Sequence, residues 1–172
     1  MSDKQVPRGE PTPQQRNVAL AEYRQPTWAE PDWQRFWLTV NKFQWRSLAL
    51  LPAGEGASPD FTLSLAVTLS RTGMTHLGGP IQVADGTHVP LNQLNAFLAE
   101  VRLCTEGGER VIVALSTANG SPTTRDIAKS ADGVVLCVLF EHMHAAEARR
   151  TVRAIGASKF VGSVIIRPSN GG

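Results

Sequence analysis

The sequence predicts an α/β fold in which a parallel central sheet of about five strands lies between helices on both faces, in three layers. Short apolar runs alternate along the chain with segments whose apolar residues recur at helical spacing. Each strand–helix unit is long enough to cross over between parallel strands. Hydrophobic residues make up 42% of the 172 residues, enough for a core that needs neither disulfide nor metal.

The predicted elements follow one another in a regular order. The first helix begins at Pro31, and its apolar face consists of Trp33, Phe36, Trp37 and Val40. Apolar runs then predict buried strands at 46–51, 80–84, 110–115, 133–140 and 160–166. Helical spacing predicts the intervening helices, which start near 61, 91, 123 and 145. Glycines are expected to end three of them, at Gly73, Gly107 and Gly156.

Composition divides the chain into three parts. Residues 1–26 are predicted to be a disordered tail, because they are rich in Pro, Gln, Arg and Glu and poor in apolar residues. Residues 27–45 form an aromatic-rich amphipathic helix segment that holds all four tryptophans of the chain. Residues 46–168 carry the alternating strand and helix pattern and form the folded domain.

The aromatic segment has two interpretations. Its helix can cover an open face of the domain, or it can dock a partner protein, since Trp is enriched at the energetic centres of interfaces. The residues of the predicted docking face are Trp28, Trp33, Phe36 and Trp37. The sequence leaves both interpretations open.

Charge and cysteine content exclude some functional classes. The net charge of +2 is too small and too dispersed to predict nucleic-acid binding. The chain has neither a signal peptide nor an apolar run of about 18 residues, so we expect a cytoplasmic protein that reaches a membrane only through a partner. Cys104 and Cys137 are interpreted as buried structural thiols, with a functional pair as the alternative.

The segment Leu50–Pro59 has the outline of a phosphate-binding loop between a strand and a helix. It keeps two glycines and a serine at the expected places, Gly54, Gly56 and Ser58. Ala57, however, stands where such a loop needs the lysine whose charge lies against the β and γ phosphates. The sequence therefore predicts a nucleotide-binding architecture without its central basic residue.

Two further groups of residues are candidates for a site. A polar loop follows the third predicted strand, at the edge where open α/β sheets bind ligands, and contains Ser116, Thr117, Asn119 and Ser121. Asp126 and Arg125 beside this loop are interpreted as surface charges. His144 and Glu147 have a spacing compatible with two metal ligands, but a solvated helix start is the favoured interpretation and no metal is expected.

Three arginines follow on the same predicted helix. Arg149, Arg150 and Arg153 place positive charge on its exposed side. A solvated face is the simpler interpretation, and contact with an acidic partner is the alternative.

From Trp33 to Arg167 the chain resembles the P-loop ATPase superfamily that includes MinD/ParA proteins. It is most similar to the cytoplasmic domains of bacterial tyrosine kinases that regulate capsule and exopolysaccharide synthesis. The resemblance is carried by the strand and loop at 46–56, by Ser130-Ala-Asp132-Gly133 with its apolar strand, and by the closing segment 155–166.

The resemblance also identifies what is missing. The family's early loop lysine corresponds to Pro52, and its metal-organising Asp after the third strand corresponds to Ala114. The chain has one tyrosine, Tyr23, where the kinases have a Tyr-rich tail. The resemblance therefore implies no catalytic residues, no ATPase or kinase activity and no required cofactor, with at most weak ATP binding at the loop.

The leading hypothesis is a non-catalytic homologue that acts as a scaffold or regulatory partner in bacterial envelope, exopolysaccharide or cellulose biosynthesis. The resemblance implies protein partners, a membrane-bound polysaccharide-assembly complex and a homo- or hetero-oligomer, located at the inner face of the membrane through its partner. The alternatives are a divergent nucleotide-dependent ATPase or kinase and a polar-localisation or partitioning adaptor of MinD/ParA type.

Overall fold

A computed structural model describes residues 31–139 and 144–166. The tail 1–26 and the predicted docking residue Trp28 lie outside this part of the chain. The helices are α1 (Pro31–Val40), α2 (Pro59–Leu77), α3 (Leu94–Glu106), α4 (Thr124–Ser130) and α5 (Ala145–Ile155). The strands are β1 (Ser47–Pro52), β2 (Ile81–Asp85), β3 (Arg110–Ala114), β4 (Gly133–Leu139) and β5 (Phe160–Ile166). Short 3-10 turns at Leu91–Gln93 and Ala157–Lys159 precede α3 and β5.

The five strands form one sheet in the order β2-β3-β1-β4-β5, and every neighbouring pair is parallel. Each strand but the last leads through a helix to the next, as parallel pairing requires. Strand β1 lies at the centre, and all six of its residues are buried. The predicted parallel α/β fold is confirmed.

Two apolar clusters, one on each face of the sheet, hold the layers together. On one face, α1 and α2 pack over alternate residues of β1, Leu48 and Leu50. On the other, α3, α4 and α5 cover Ala49 and Leu51. Cys137 belongs to the first cluster and Cys104 packs against the second, so the sheet separates the two free thiols. Burial raises the pKa of the Cys137 thiol to about 12, which keeps it protonated and unreactive.

The prediction that Gly73 ends its helix is wrong. Helix α2 continues to Leu77 and ends at Gly78, whose φ of 69° is the left-handed conformation typical of a helix end. Gly73 is instead a contact residue, because a Cβ there would lie 2.6 Å from the ring of Trp37. The glycine is needed for close approach of α1 to α2, a requirement that the local sequence does not show.

Trp37 is part of the core and only 2% exposed. Its indole Nε1 donates to Thr72 Oγ1 at 3.0 Å, and its ring stacks on Trp45 with centroids 6.2 Å apart. Its neighbours Trp33 and Phe36 are half-buried and pack against the same cluster. Trp37 thus fastens α1 to the domain, while Trp33 and Phe36 keep surface in reach of solvent.

Asp132 joins two strands at the amino edge of the sheet. Its carboxylate accepts from the backbone N–H groups of Arg46 and Ser47, both at 2.8 Å, and from Ser47 Oγ at 3.2 Å. In return the Asp132 backbone N–H donates to Ser47 Oγ at 3.0 Å. Partial burial raises the pKa of Asp132, but these hydrogen bonds and the charge of Lys159 outweigh it and leave the pKa below its usual 3.8. The carboxylate therefore aligns the starts of β1 and β4.

Candidate functional site

A polar cavity of about 360 Å³ opens at the carboxyl edge of the sheet, between the loop after β1, the loop after β3 and helices α4 and α5. Open parallel sheets bind their ligands at this edge. The polar and charged side chains around the cavity are Glu55, Thr117, Asn119, Arg125, Glu147, Arg150 and Thr151. The candidate site is therefore assembled from four separate segments of the chain.

The loop after β1 is held at its start. The Ala53 N–H donates to the carbonyl oxygen of Cys137 at 2.9 Å, which extends the β1–β4 pairing by one residue. The Ala53 carbonyl accepts from Thr151 Oγ1 at 3.1 Å, which ties the loop to α5. Beyond this point the chain turns through Gly54 to Gly56 and enters α2. The loop keeps the course predicted for it, and of the predicted loop residues Gly54 lines the cavity.

The start of α2 offers little to a phosphate. Ser58 precedes the helix in an extended conformation, and its side chain makes no capping hydrogen bond. Pro59 takes the first helical position and has no N–H to donate, while Asp60 puts a negative charge in the first turn. Helix amino termini bind anions through free N–H groups and positive potential. At the start of α2, Pro59 removes one N–H group and Asp60 lowers the positive potential.

The end of β3 is apolar and closed. Ala114, at the position the resemblance gives to a metal-organising Asp, is fully buried, as is the following Leu115. The Leu115 carbonyl oxygen accepts from Thr62 Oγ1 at 2.7 Å, so α2 is bonded directly to this strand end. No ionisable side chain stands at either position.

Most hydroxyl groups of the predicted polar loop are occupied by structural hydrogen bonds. Ser116 Oγ lies 3.0 Å from Thr124 Oγ1, and Thr123 Oγ1 donates to the Val89 carbonyl oxygen at 2.7 Å. Ser121 is bonded to Thr123 at 3.0 Å. Of the predicted group, Thr117 and Asn119 line the cavity.

Arg125 is exposed, as expected of a surface charge, and it also lines the candidate site. Its Nη2 donates to Asn119 Oδ1 at 2.7 Å and its Nε donates to the Ala118 carbonyl oxygen at 3.3 Å. These bonds hold the guanidinium against the loop after β3. The signal that could have placed it here is its position, because Arg125 lies at the start of the helix that follows a carboxyl-edge loop.

Helix α5 contributes opposite charges to the cavity. Arg150 and Glu147 line it, whereas Arg149 and Arg153 are exposed outside it. His144 is exposed at the helix start. Within residues 31–139 and 144–166, no three His, Cys, Asp or Glu side chains cluster as metal ligands would. In the same ranges, no helix combines the length and apolarity needed to cross a bilayer.

The cavity has balanced charge. Arg125 and Arg150 are offset by Glu55 and Glu147, and the described residues around the cavity include neither lysine nor aspartate. A triphosphate carries several negative charges and is bound by sites with excess positive charge. The cavity can form hydrogen bonds with a polar ligand, but its charge does not select a polyanion.

The fold is similar to that of two solved structures. The chimeric protein CapA2B2 superposes with a TM-score of 0.66 at 14% identity, over 86% of this chain and 89% of that one. The BceF tyrosine kinase domain superposes with a TM-score of 0.56 at 12% identity, over 77% of this chain and 73% of that one. No protein-family model and no curated protein matches the sequence. At these identities the likeness establishes a common fold.

Proposed function

We propose that this protein is a non-catalytic relative of the exopolysaccharide tyrosine kinases and serves as a scaffold or regulatory partner in envelope polysaccharide synthesis. The observation that carries the proposal is the set of residues found at the carboxyl edge of the sheet. A cavity lies there beside the loop after β1, and the resemblance assigns Ala57 and Ala114 to the positions of the phosphate lysine and the metal-organising acid. The structural likeness to a tyrosine kinase domain supports the relation.

The expected loss of catalysis follows from electrostatics. Phosphoryl transfer is accelerated almost entirely by metal and basic groups placed around the transferring phosphoryl. Losing the lysine and the acid together removes several orders of magnitude in rate. Pro59 and Asp60 at the start of α2 further lower the affinity for phosphate. Because its charges are balanced, we infer that the cavity suits an uncharged polar group better than a nucleotide.

Titration with ATP and Mg²⁺ tests this proposal. We expect no binding heat in the micromolar range and no phosphate release, because the loop lacks its charge. Ala57→Lys is expected to improve ATP affinity about tenfold, as one added charge-assisted contact would, without producing turnover. Wild-type hydrolysis that Ala57→Lys leaves unchanged would show that the loop has been aligned wrongly. Micromolar binding with turnover in the wild type would exclude a non-catalytic role.

The arginines of α5 are the proposed contact for an acidic partner in the membrane-bound complex. Arg149, Arg150 and Arg153 are all exposed. In a strain without the gene, we expect wild type to restore polysaccharide output and the triple Arg→Glu variant to fail at equal protein level, because reversed charge repels an acidic partner. Reversal of Arg71 and Arg102, exposed on α2 and α3, is the control and should complement. Full complementation by the triple variant would remove this surface from the proposal.

A second candidate is a nucleotide-dependent enzyme completed by residues of another chain. One observation favours it: the cavity at the carboxyl edge is open, so a basic residue of another chain could enter it and add the positive charge that Glu55 and Glu147 now offset. Turnover that appears only when a partner is added would distinguish this enzyme from the scaffold.

A further inference from the structure

A large groove runs beside β5, which is one of the two edge strands of the described sheet. It has a volume of about 840 Å³ and lies between α1 and the last strand, β5. Its apolar lining comes from Trp33, Phe36 and Val40 of α1 and from Val164 and Ile166 of β5. Helices α1 and α2 lie on the same face of the sheet, and α1 contacts α2 on one side and β5 on the other. The groove lies on the β5 side of α1.

Within residues 31–139 and 144–166, strand β5 is an edge strand of the sheet. Among the strands that the structure describes, it pairs only with β4, so its outer backbone N–H and C=O groups are unpaired by the sheet. Its seven residues, Phe160–Ile166, include no charge and no proline, and Ile165 is 63% exposed. Soluble proteins normally protect an edge strand with charge, proline or a cover. A bulge beside Val134 affects only the start of the strand and leaves Gly162–Ile166 regular.

The rim of the groove carries both signs of charge. Asp32 and Arg35 of α1 line it, and their side chains are 92% and 80% exposed. Arg35 Nη1 lies 3.6 Å from Asp32 Oδ1 within the helix. An ion pair this exposed adds very little to the stability of the fold. A surface with an acid and a base side by side is complementary to its own copy rotated by a two-fold axis.

We propose that two copies of this protein associate through β5, antiparallel to β5 of the second copy, and form one continuous sheet with the two α1 helices side by side across the groove. Antiparallel pairing of Gly162–Ile166 adds about four backbone hydrogen bonds. Helices on a sheet pack about 10 Å apart, which is about two strand spacings, so joined edges leave room for one α1 from each copy. The rim then brings Asp32 of each copy toward Arg35 of the other. This dimer does not depend on the proposed loss of catalysis.

Sedimentation of the full chain over roughly a hundredfold range of concentration tests the dimer by mass action. Wild type is expected to shift from monomer to dimer. Ile165→Lys is expected to lower the association constant at least about tenfold, because it puts charge into the joined strands. The matched control is Leu103→Lys, since Leu103 is 69% exposed on α3 and should leave the association unchanged. A wild type that stays monomeric, or equal effects of the two substitutions, overturns the proposal.

Two readouts separate this dimer from other modes of association. Backbone amides of Gly162–Ile166 are expected to gain protection from hydrogen exchange as concentration rises, and to lose it in Ile165→Lys. Asp32→Arg and Arg35→Asp are each expected to weaken association several-fold, and the double reversal to restore it to within about twofold, because the pair is swapped as a unit. Absence of protection in β5, or a double reversal as weak as the single ones, counts against the two-fold arrangement.

Discussion

Replacing Trp37 by alanine is expected to lower the free energy of unfolding by about 4 kcal/mol. The substitution removes a ring that is 2% exposed and leaves a cavity between α1 and α2. It also removes the indole N–H that donates to Thr72 Oγ1, so this buried hydroxyl loses one hydrogen bond. Urea unfolding followed by circular dichroism measures the change.

Leu38→Ala is the control for this prediction. Leu38 lies next to Trp37 on α1 but is 70% exposed, so its replacement should change stability by no more than about 0.5 kcal/mol. Gly73→Ala provides a test of the contact itself. Its added Cβ meets the Trp37 ring in the wild type, and its cost should fall once the ring is removed. Equal costs of Gly73→Ala in both backgrounds would contradict the close packing of α1 on α2.

Asp132→Asn is expected to lower the free energy of unfolding by about 1–2 kcal/mol at neutral pH and by much less in acid. The amide cannot accept the three bonds from Arg46 and Ser47 as a carboxylate does. Because Asp132 is exposed, solvent screens much of the effect.

The pH dependence of this difference follows from the lowered pKa. The unfolded chain binds its proton near pH 4, whereas folded Asp132 holds its charge to a lower pH. The carboxylate therefore stabilises the fold fully above the unfolded pKa and loses that effect as pH falls through the folded pKa, below 3.8. The difference in stability between wild type and Asp132→Asn, measured from pH 7 downward, should narrow as the pH falls below 3.8. Asp126→Asn, on the exposed surface of α4, is the control, and a constant gap for Asp132→Asn would refute the assigned role.

Patterns among residues close in sequence were enough to predict the helices and strands and their order along the chain. The apolar run in β1 and the helical spacing of Phe61, Leu65 and Leu69 each indicate one element, because burial repeats with the period of the backbone. A parallel sheet followed from the alternation. The end of α2 was missed because a glycine can stop a helix or permit close contact, and only the position of Trp37 separates the two.

The candidate site was predicted in part. Gly54, Thr117 and Asn119 were expected at the carboxyl edge and line the cavity there. Arg125 and Arg150 were interpreted as surface charges or a partner contact, and the fold places both beside the loop after β1. Arg125 and Arg150 lie around the same cavity because of the way α4 and α5 pack on the sheet, and short-range sequence patterns do not predict that packing.

By itself, the sequence determined the fold class, and it places alanine at 57 and 114, the positions that the resemblance assigns to a lysine and an acid. Both are local properties, carried by periodicity or by a single residue in a loop. The tertiary structure alone decided that Trp37 belongs to the core, that Asp132 is bonded to Ser47 across 85 residues of chain, and that the uncharged β5 lies at an edge of the described sheet. These depend on contacts between distant segments, which exist only once the sheet and its helices have packed.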